Sequence, residues 1–136
     1  MLITQTEIDD AVSVLAPVMR RTPMVASRVL SERSGSDVWL KRENLQRTGS
    51  FKPRGAFYRI SRLTPDERSA GVVAASAGNH AQGVAWSAAH LGISSRVYMP
   101  VGAALPKLAA TKAYGAEVVL TGETIDESLV AARRSE

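Results

Sequence analysis

Val72-Val73-Ala74-Ala75-Ser76-Ala77-Gly78-Asn79-His80-Ala81-Gln82-Gly83-Val84-Ala85-Trp86-Ser87-Ala88-Ala89-His90-Leu91-Gly92 changes its hydrophobic period partway along. Val72 to Ala75 is a short unbroken apolar run and reads as a buried strand. From residue 79 to 91 the apolar positions Ala81, Val84, Ala85, Ala88 and Leu91 recur at helical spacing, and Gly92 ends the helix. The alternation continues downstream. Arg96 to Met99 reads as a second strand, Leu105 to Tyr114 as a helix with Gly115 past its end, Glu117 to Leu120 as a third strand and Thr124 to Arg134 as a last helix. Strands alternating with helices of this length predict an α/β fold whose strands pair in parallel through right-handed crossovers. Ligands of such sheets bind beyond the carboxyl ends of strands, which puts Ser76-Ala77-Gly78-Asn79-His80 in the ligand position.

That turn has chemistry of its own. Small residues let the backbone approach a ligand closely, and free N–H groups at a helix N-terminus favour a carboxylate or phosphate. Asn79 and His80 can each donate or accept a hydrogen bond. The plainer alternative is an ordinary strand-to-helix turn with Asn79 as its cap. The three-glycine dinucleotide fingerprint is absent from this turn.

Upstream, Thr6 with Asp9 resembles a capping box, with Ile8, Ala11, Val12 and Leu15 on one face of the helix that follows. Pro17 ends or kinks that helix, and Arg21-Thr22-Pro23 reads as an extended connector. Ser27 can cap a short helix through Arg33, closed by Gly35. Asp37 to Lys41 alternates as a strand, and Glu43 to Gly49 is polar and turn-forming. After Pro53 a helix runs to about Leu63, and Thr64-Pro65-Asp66-Glu67 starts another. The stretch Thr48-Gly49-Ser50-Phe51-Lys52-Pro53-Arg54-Gly55-Ala56 therefore puts Lys52 at an expected strand-to-helix junction, with Pro53 suited to the first helical position. Partial desolvation beside a positive helix end favours a neutral, nucleophilic amine there. The alternative is a solvated lysine beside a turn.

Composition narrows the class. A chain of 136 residues, 45% hydrophobic and 22% charged, suits one globular domain. No apolar run is long enough to span a bilayer, and the start, Met1 to Glu7, lacks the pattern of a secretory signal, so a cytoplasmic location is the expectation. The absence of cysteine removes disulfides and thiolate metal sites, and no metal is expected. A net charge of +4 invites a nucleic-acid reading, but the basic residues are interspersed with acidic ones and aromatics are only 5%. The excess reads mostly as solvated surface, and an anionic small molecule suits it equally well.

The two stretches taken together, Ser50-Phe51-Lys52-Pro53-Arg54-Gly55-Ala56 and Ser76-Ala77-Gly78-Asn79-His80-Ala81-Gln82-Gly83, closely resemble the threonine dehydratase and serine racemase group of pyridoxal-phosphate enzymes. The resemblance extends through Lys41-Arg42-Glu43-Asn44-Leu45-Gln46 and over most of the chain. It implies the tryptophan synthase β-type fold (fold type II). Lys52 would be the Schiff-base lysine and the base at the substrate α-carbon, with Phe51 beside the cofactor ring. Asn79 would hydrogen-bond the cofactor's 3-hydroxyl oxygen, and Ser76, Ala77, Gly78, Asn79 and His80 would cradle the substrate carboxylate. The implied reaction converts threonine to 2-oxobutanoate and ammonia, or serine to pyruvate, in isoleucine biosynthesis or threonine catabolism. The implied partner is a small amino-acid substrate, with no nucleic acid or membrane, in a homo-oligomeric parent. Pro53 departs from the aliphatic residue the pattern implies.

The glycine-rich phosphate loop of the family has no counterpart after Gly83. The chain is therefore expected to be an N-terminal fragment: residues 1–63 an N-terminal segment of the large lobe including Lys52, residues 64–136 most of the small α/β lobe. Weak cofactor binding, little turnover and self-association through exposed apolar surface are expected of it alone. Serine racemisation and a non-catalytic α/β binding module are the rival readings.

Overall fold

The structure is a computed structural model that describes residues 3–135. Residues 1, 2 and 136 lie outside it, and with them the two ends of the expected divisions and the first residues of the segment read for a secretory signal. Helix α1 (Gln5–Leu15) is capped by Thr4, whose Oγ1 accepts from Glu7 N at 3.3 Å while Glu7 Oε2 accepts from Thr4 N at 2.7 Å. The box thus starts at Thr4 and not at Thr6, as the sequence led us to expect. Thr6 lies inside the helix, and Asp9 accepts from Gln5 Nε2. Glutamate reaches back to the cap N–H more readily than the shorter aspartate, which decides between two threonines that each precede an acid by three residues.

Strand β1 (Met24–Ala26) pairs antiparallel with β2 (Trp39–Lys41), joining Met24 to Lys41 and Ala26 to Trp39. Between them α2 (Arg28–Ser34) is capped by Ser27 and closed by Gly35, as expected. The chain then makes two single-turn 3-10 segments, Glu43–Leu45 and Arg47–Gly49, before α3 (Lys52–Ser61). No strand leads directly into Lys52, and α3 begins at Lys52 itself, one residue ahead of Pro53. Proline is tolerated there because the N–H it lacks is one that a first helical turn leaves unpaired. Helix α4 (Pro65–Ala70) follows, with a Thr64 and Glu67 capping box.

The remaining elements make the parallel unit. Strands β3 (Val72–Ala75), β4 (Ser95–Met99) and β5 (Glu117–Leu120) lie in the order β3-β4-β5, all parallel, joined by α5 (Asn79–His90) and α6 (Leu105–Ala113). Helix α7 (Ile125–Arg133), with its own Thr124 and Glu127 box, packs on β3 and β4. Helix α5 is the centre of this arrangement. Its Ala81 and Ala85 meet Val97 and Met99 of β4, while Val84 and Ala88 meet Ala56 and Ile60 of α3. A helix buried on two sides needs small residues to let both neighbours close in, and α5 supplies alanines and Gly83. That core runs across the expected division between residues 63 and 64, so α3 shares a core with the parallel unit.

Candidate functional site

The first turn of α3 meets the second turn of α5 at one point, and Gly83 explains how closely. A Cβ placed on Gly83 would stand 3.1 Å from the Lys52 carbonyl carbon and 3.2 Å from both Lys52 Cβ and Pro53 N. A glycine lets the backbone of α5 rest against the lysine at a distance that any side chain would widen by a few tenths of an ångström. Lys52 is half-buried, and its Nζ lies 5.0 Å from the centroid of the Phe51 ring, which is itself 58% exposed.

Across the contact, the turn from β3 into α5 begins with Ser76, whose N–H donates to Tyr98 O at 3.0 Å and so carries the β3 alignment one residue further. Gly78 N donates to Ser76 Oγ at 3.3 Å, with Ala77 half-buried between them. Gly78 is the N-cap of α5, and no side chain caps the helix. Asn79 is therefore not the cap that the plainer reading of the turn offered. It occupies the first helical position, and its Oδ1 accepts from Lys107 Nζ at 2.8 Å. The uncapped N–H groups keep their partial positive charge available to an anion.

His80 links the two halves. Burial pushes its imidazole below the ordinary value, and the positive charge of Lys52 pushes it the same way. The Gly83 contact sets the Lys52 backbone one helical turn from the Ser76–His80 turn. A groove of about 450 Å³ between α3, α4 and β3 extends to His80 but is not lined by Lys52 or Asn79.

The segment that delivers Lys52 is braced by residues that sequence reasoning passed over as a polar turn. Arg54 Nε and Nη2 donate to the two carboxylate oxygens of Glu43 at 2.8 and 2.9 Å, and Thr22 Oγ1 donates to Glu43 Oε1 at 2.6 Å. The Arg54 hydrogen bonds, chief among these contacts, hold the Glu43 carboxyl down to about 2. Gln46 is buried, accepting from Arg20 N and Arg47 N and donating to Arg20 O. Thr48 takes a left-handed conformation, φ 60°, followed by Gly49 at φ 70°. Two buried hydroxyls just before the lysine, Thr48 Oγ1 and Ser50 Oγ, have no hydrogen-bond partner among the described residues. Glu43 and Arg54 are of opposite charge and flank Lys52 in sequence, which was the one available signal; Lys107 gave none, being a lysine in the first turn of an amphipathic helix.

Comparison with known proteins bears on the whole of this arrangement. L-threonine ammonia-lyase of Thermotoga maritima is 50% identical over 133 residues, covering 98% of this chain and 33% of that protein. The processed form of threonine deaminase isoform 2 from Solanum lycopersicum superimposes with a TM-score of 0.83 at 38% identity, covering 98% of this chain and 38% of the other. Maize serine racemase gives a TM-score of 0.86 at 33% identity, over 93% of this chain and 39% of that one. The chain thus has the fold of these enzymes and spans about a third of the length of the curated relative. Residues 15–136 match the family described as pyridoxal-phosphate dependent enzyme, and the chain belongs to that family.

Proposed function

We propose that the protein containing this chain is a pyridoxal-phosphate-dependent ammonia-lyase acting on threonine or serine. The observation that carries the reading is the seating of the Lys52 backbone and Cβ against Gly83, one turn into a helix whose start no side chain caps. The relatives named as threonine ammonia-lyase and threonine deaminase support the reaction class.

The residues present fit the cofactor. A half-buried amine can meet an aldehyde, the exposed Phe51 ring offers an apolar face beside it, and the buried unpartnered hydroxyls of Thr48 and Ser50 are orphans of the kind that a polar ligand satisfies. Bound there, the cofactor supplies an electron sink for charge developing at the substrate α-carbon. The chain supplies the rest. Lys52 Nζ takes the α-proton, and a neutral His80 beside it adds no competing positive charge. The N–H groups that open α5, with Ser76, Ala77, Gly78, Asn79 and His80, would hold the substrate carboxylate, and Asn79 would hydrogen-bond the cofactor's 3-oxygen. Loss of the β-hydroxyl as water and hydrolytic release of ammonia give 2-oxobutanoate from threonine or pyruvate from serine, with no net change in oxidation level.

Borohydride reduction of the cofactor-loaded full-length protein is expected to fix a pyridoxyl group on Lys52, with 2-oxo acid and ammonia formed from threonine. A label on another lysine overturns the assignment, and D-serine as the product from L-serine turns the reading to racemisation. We further propose a cytoplasmic homo-oligomer without nucleic-acid or membrane partners, working in isoleucine biosynthesis or threonine catabolism, with residues 1–63 contributing to a large lobe and 64–136 to a small one. In support, no helix among the described residues is long and apolar enough to cross a membrane.

A further inference from the structure

The amide of Asn79 has two ends of opposite hydrogen-bonding character, so the end that faces a ligand decides what the residue can offer. Its Oδ1 accepts from Lys107 Nζ at 2.8 Å. An ammonium carries three donors and no acceptor, so only the oxygen end of the amide can meet it. The Nδ2 end, with its two N–H groups, is then turned away from Lys107. Lys107 is itself held in place in the first turn of α6. Its N–H donates to Ala104 O at 2.9 Å, and its carbonyl accepts from Thr111 Oγ1 at 2.9 Å, with Thr111 fully buried. The contact therefore ties the first turns of α5 and α6 together through a charged donor, the stronger class of hydrogen bond.

We propose that Lys107 is a positioning residue: its ammonium fixes the Asn79 side chain with the oxygen toward α6 and Nδ2 as the end presented to ligand, so that the site offers a donor and not an acceptor at this point. The inference rests on the reading of Asn79 as a contact of the cofactor's 3-oxygen. Ionised, that 3-oxygen would be an acceptor only and would need a donor opposite it, and an inverted amide would set oxygen against oxygen.

The test compares Lys107→Met, Lys107→Arg, Asn79→Ala and the Lys107→Met/Asn79→Ala double variant of the full-length protein by equilibrium binding of pyridoxal phosphate. Alongside, the 136-residue chain without cofactor is labelled with 13C,15N-asparagine; its only asparagines are Asn44 and Asn79, so two sets of side-chain amide signals are read. Lys107→Met is expected to weaken cofactor binding roughly tenfold, the loss of about one hydrogen bond. It should also move the Asn79 13Cγ and 15Nδ2 signals while leaving those of Asn44 in place, and Lys107→Arg should restore both. In the Asn79→Ala background, Lys107→Met should add nothing. Unchanged cofactor affinity in Asn79→Ala sinks the reading of Asn79 itself and the inference with it. Weakened affinity in Asn79→Ala, with Lys107→Met silent in binding and in the amide signals, sinks only the role of Lys107. An equal loss from Lys107→Met with and without Asn79 means that the lysine acts by its own charge and overturns the inference.

Discussion

Gly83 carries more of the site than any charged residue does, because it sets the distance between the two helices whose first turns form it. Replacing it with alanine adds one carbon, yet that carbon has backbone on the far side: the Lys52 carbonyl carbon and Pro53 N cannot rotate out of the way as a flexible side chain could. The helices must separate by a few tenths of an ångström, and the lysine moves with α3. Gly83→Ala is expected to cost about 1–3 kcal/mol by overpacking, offset by a gain of about 1 kcal/mol in helix propensity, for a net loss of up to about 2 kcal/mol. In the full-length protein the same variant is expected to lower turnover in the proposed ammonia-lyase reaction even at temperatures well below its melting point, since misplacing the base proposed at Lys52 would cost rate steeply. Thermal unfolding and 2-oxo acid assay on the same preparation check this; unchanged turnover would show that the Gly83 contact does not position Lys52.

Among the elements, the segment between β2 and α3 depends on one partly buried ion pair more than on regular structure. Glu43 in the folded chain has its carboxyl lowered from an ordinary 4.5 to about 2, first through the hydrogen bonds from Arg54. A depressed folded value means that the ionised form is favoured by folding. Its contribution is fully present above the ordinary value and is lost as the pH falls from 4.5 toward 2. Because both side chains keep some contact with water, that contribution is about 1–2 kcal/mol, less than the full shift implies. Glu43→Gln should therefore be less stable than the parent by this amount at about pH 6, and the gap should close as the pH approaches 2. Urea unfolding across that range measures it, and a gap independent of pH would contradict the ionic role. Legibility in the sequence followed a related divide. From Val72 to Arg133 every element was readable, because each strand is short and centred on consecutive apolar residues and each helix is periodic, with glycine or threonine at one end or the other. Strand β1 was not, since three residues after Pro23 have no period to show. The brace of Glu43, Arg54 and Thr22 was not either, because its partners stand 11 and 21 residues apart and only the fold brings them together. The candidate site stood out in the sequence as two motifs, whereas the approach that joins them, at Gly83, and the Lys107 contact came only with the packing of α5 against its neighbours.

The whole molecule presents a two-stranded ribbon with exposed apolar side chains on both of its faces. Met24 and Val25 of β1 and Trp39 and Leu40 of β2 are 53, 36, 59 and 42% exposed, and Val25 lies opposite Leu40 in the antiparallel register. A sheet of two strands has an open edge on each side, so backbone donors and acceptors accompany the exposed side chains. Such a surface lowers its free energy by burial against another copy, at roughly 25 cal/mol per Å² covered. A net charge of +4 over 136 residues provides only modest repulsion against it. The 136-residue chain is therefore expected to self-associate as its concentration rises, with a weight-average mass above 14.5 kDa in sedimentation equilibrium. Leu40→Glu should shift that association to higher concentration, because it places a charge in the middle of the ribbon, whereas a charge at Val101, exposed in the loop after β4, should not. A chain that stays monomeric at every concentration, or one that Leu40→Glu leaves as associated as before, would show that the ribbon is not the surface through which copies meet.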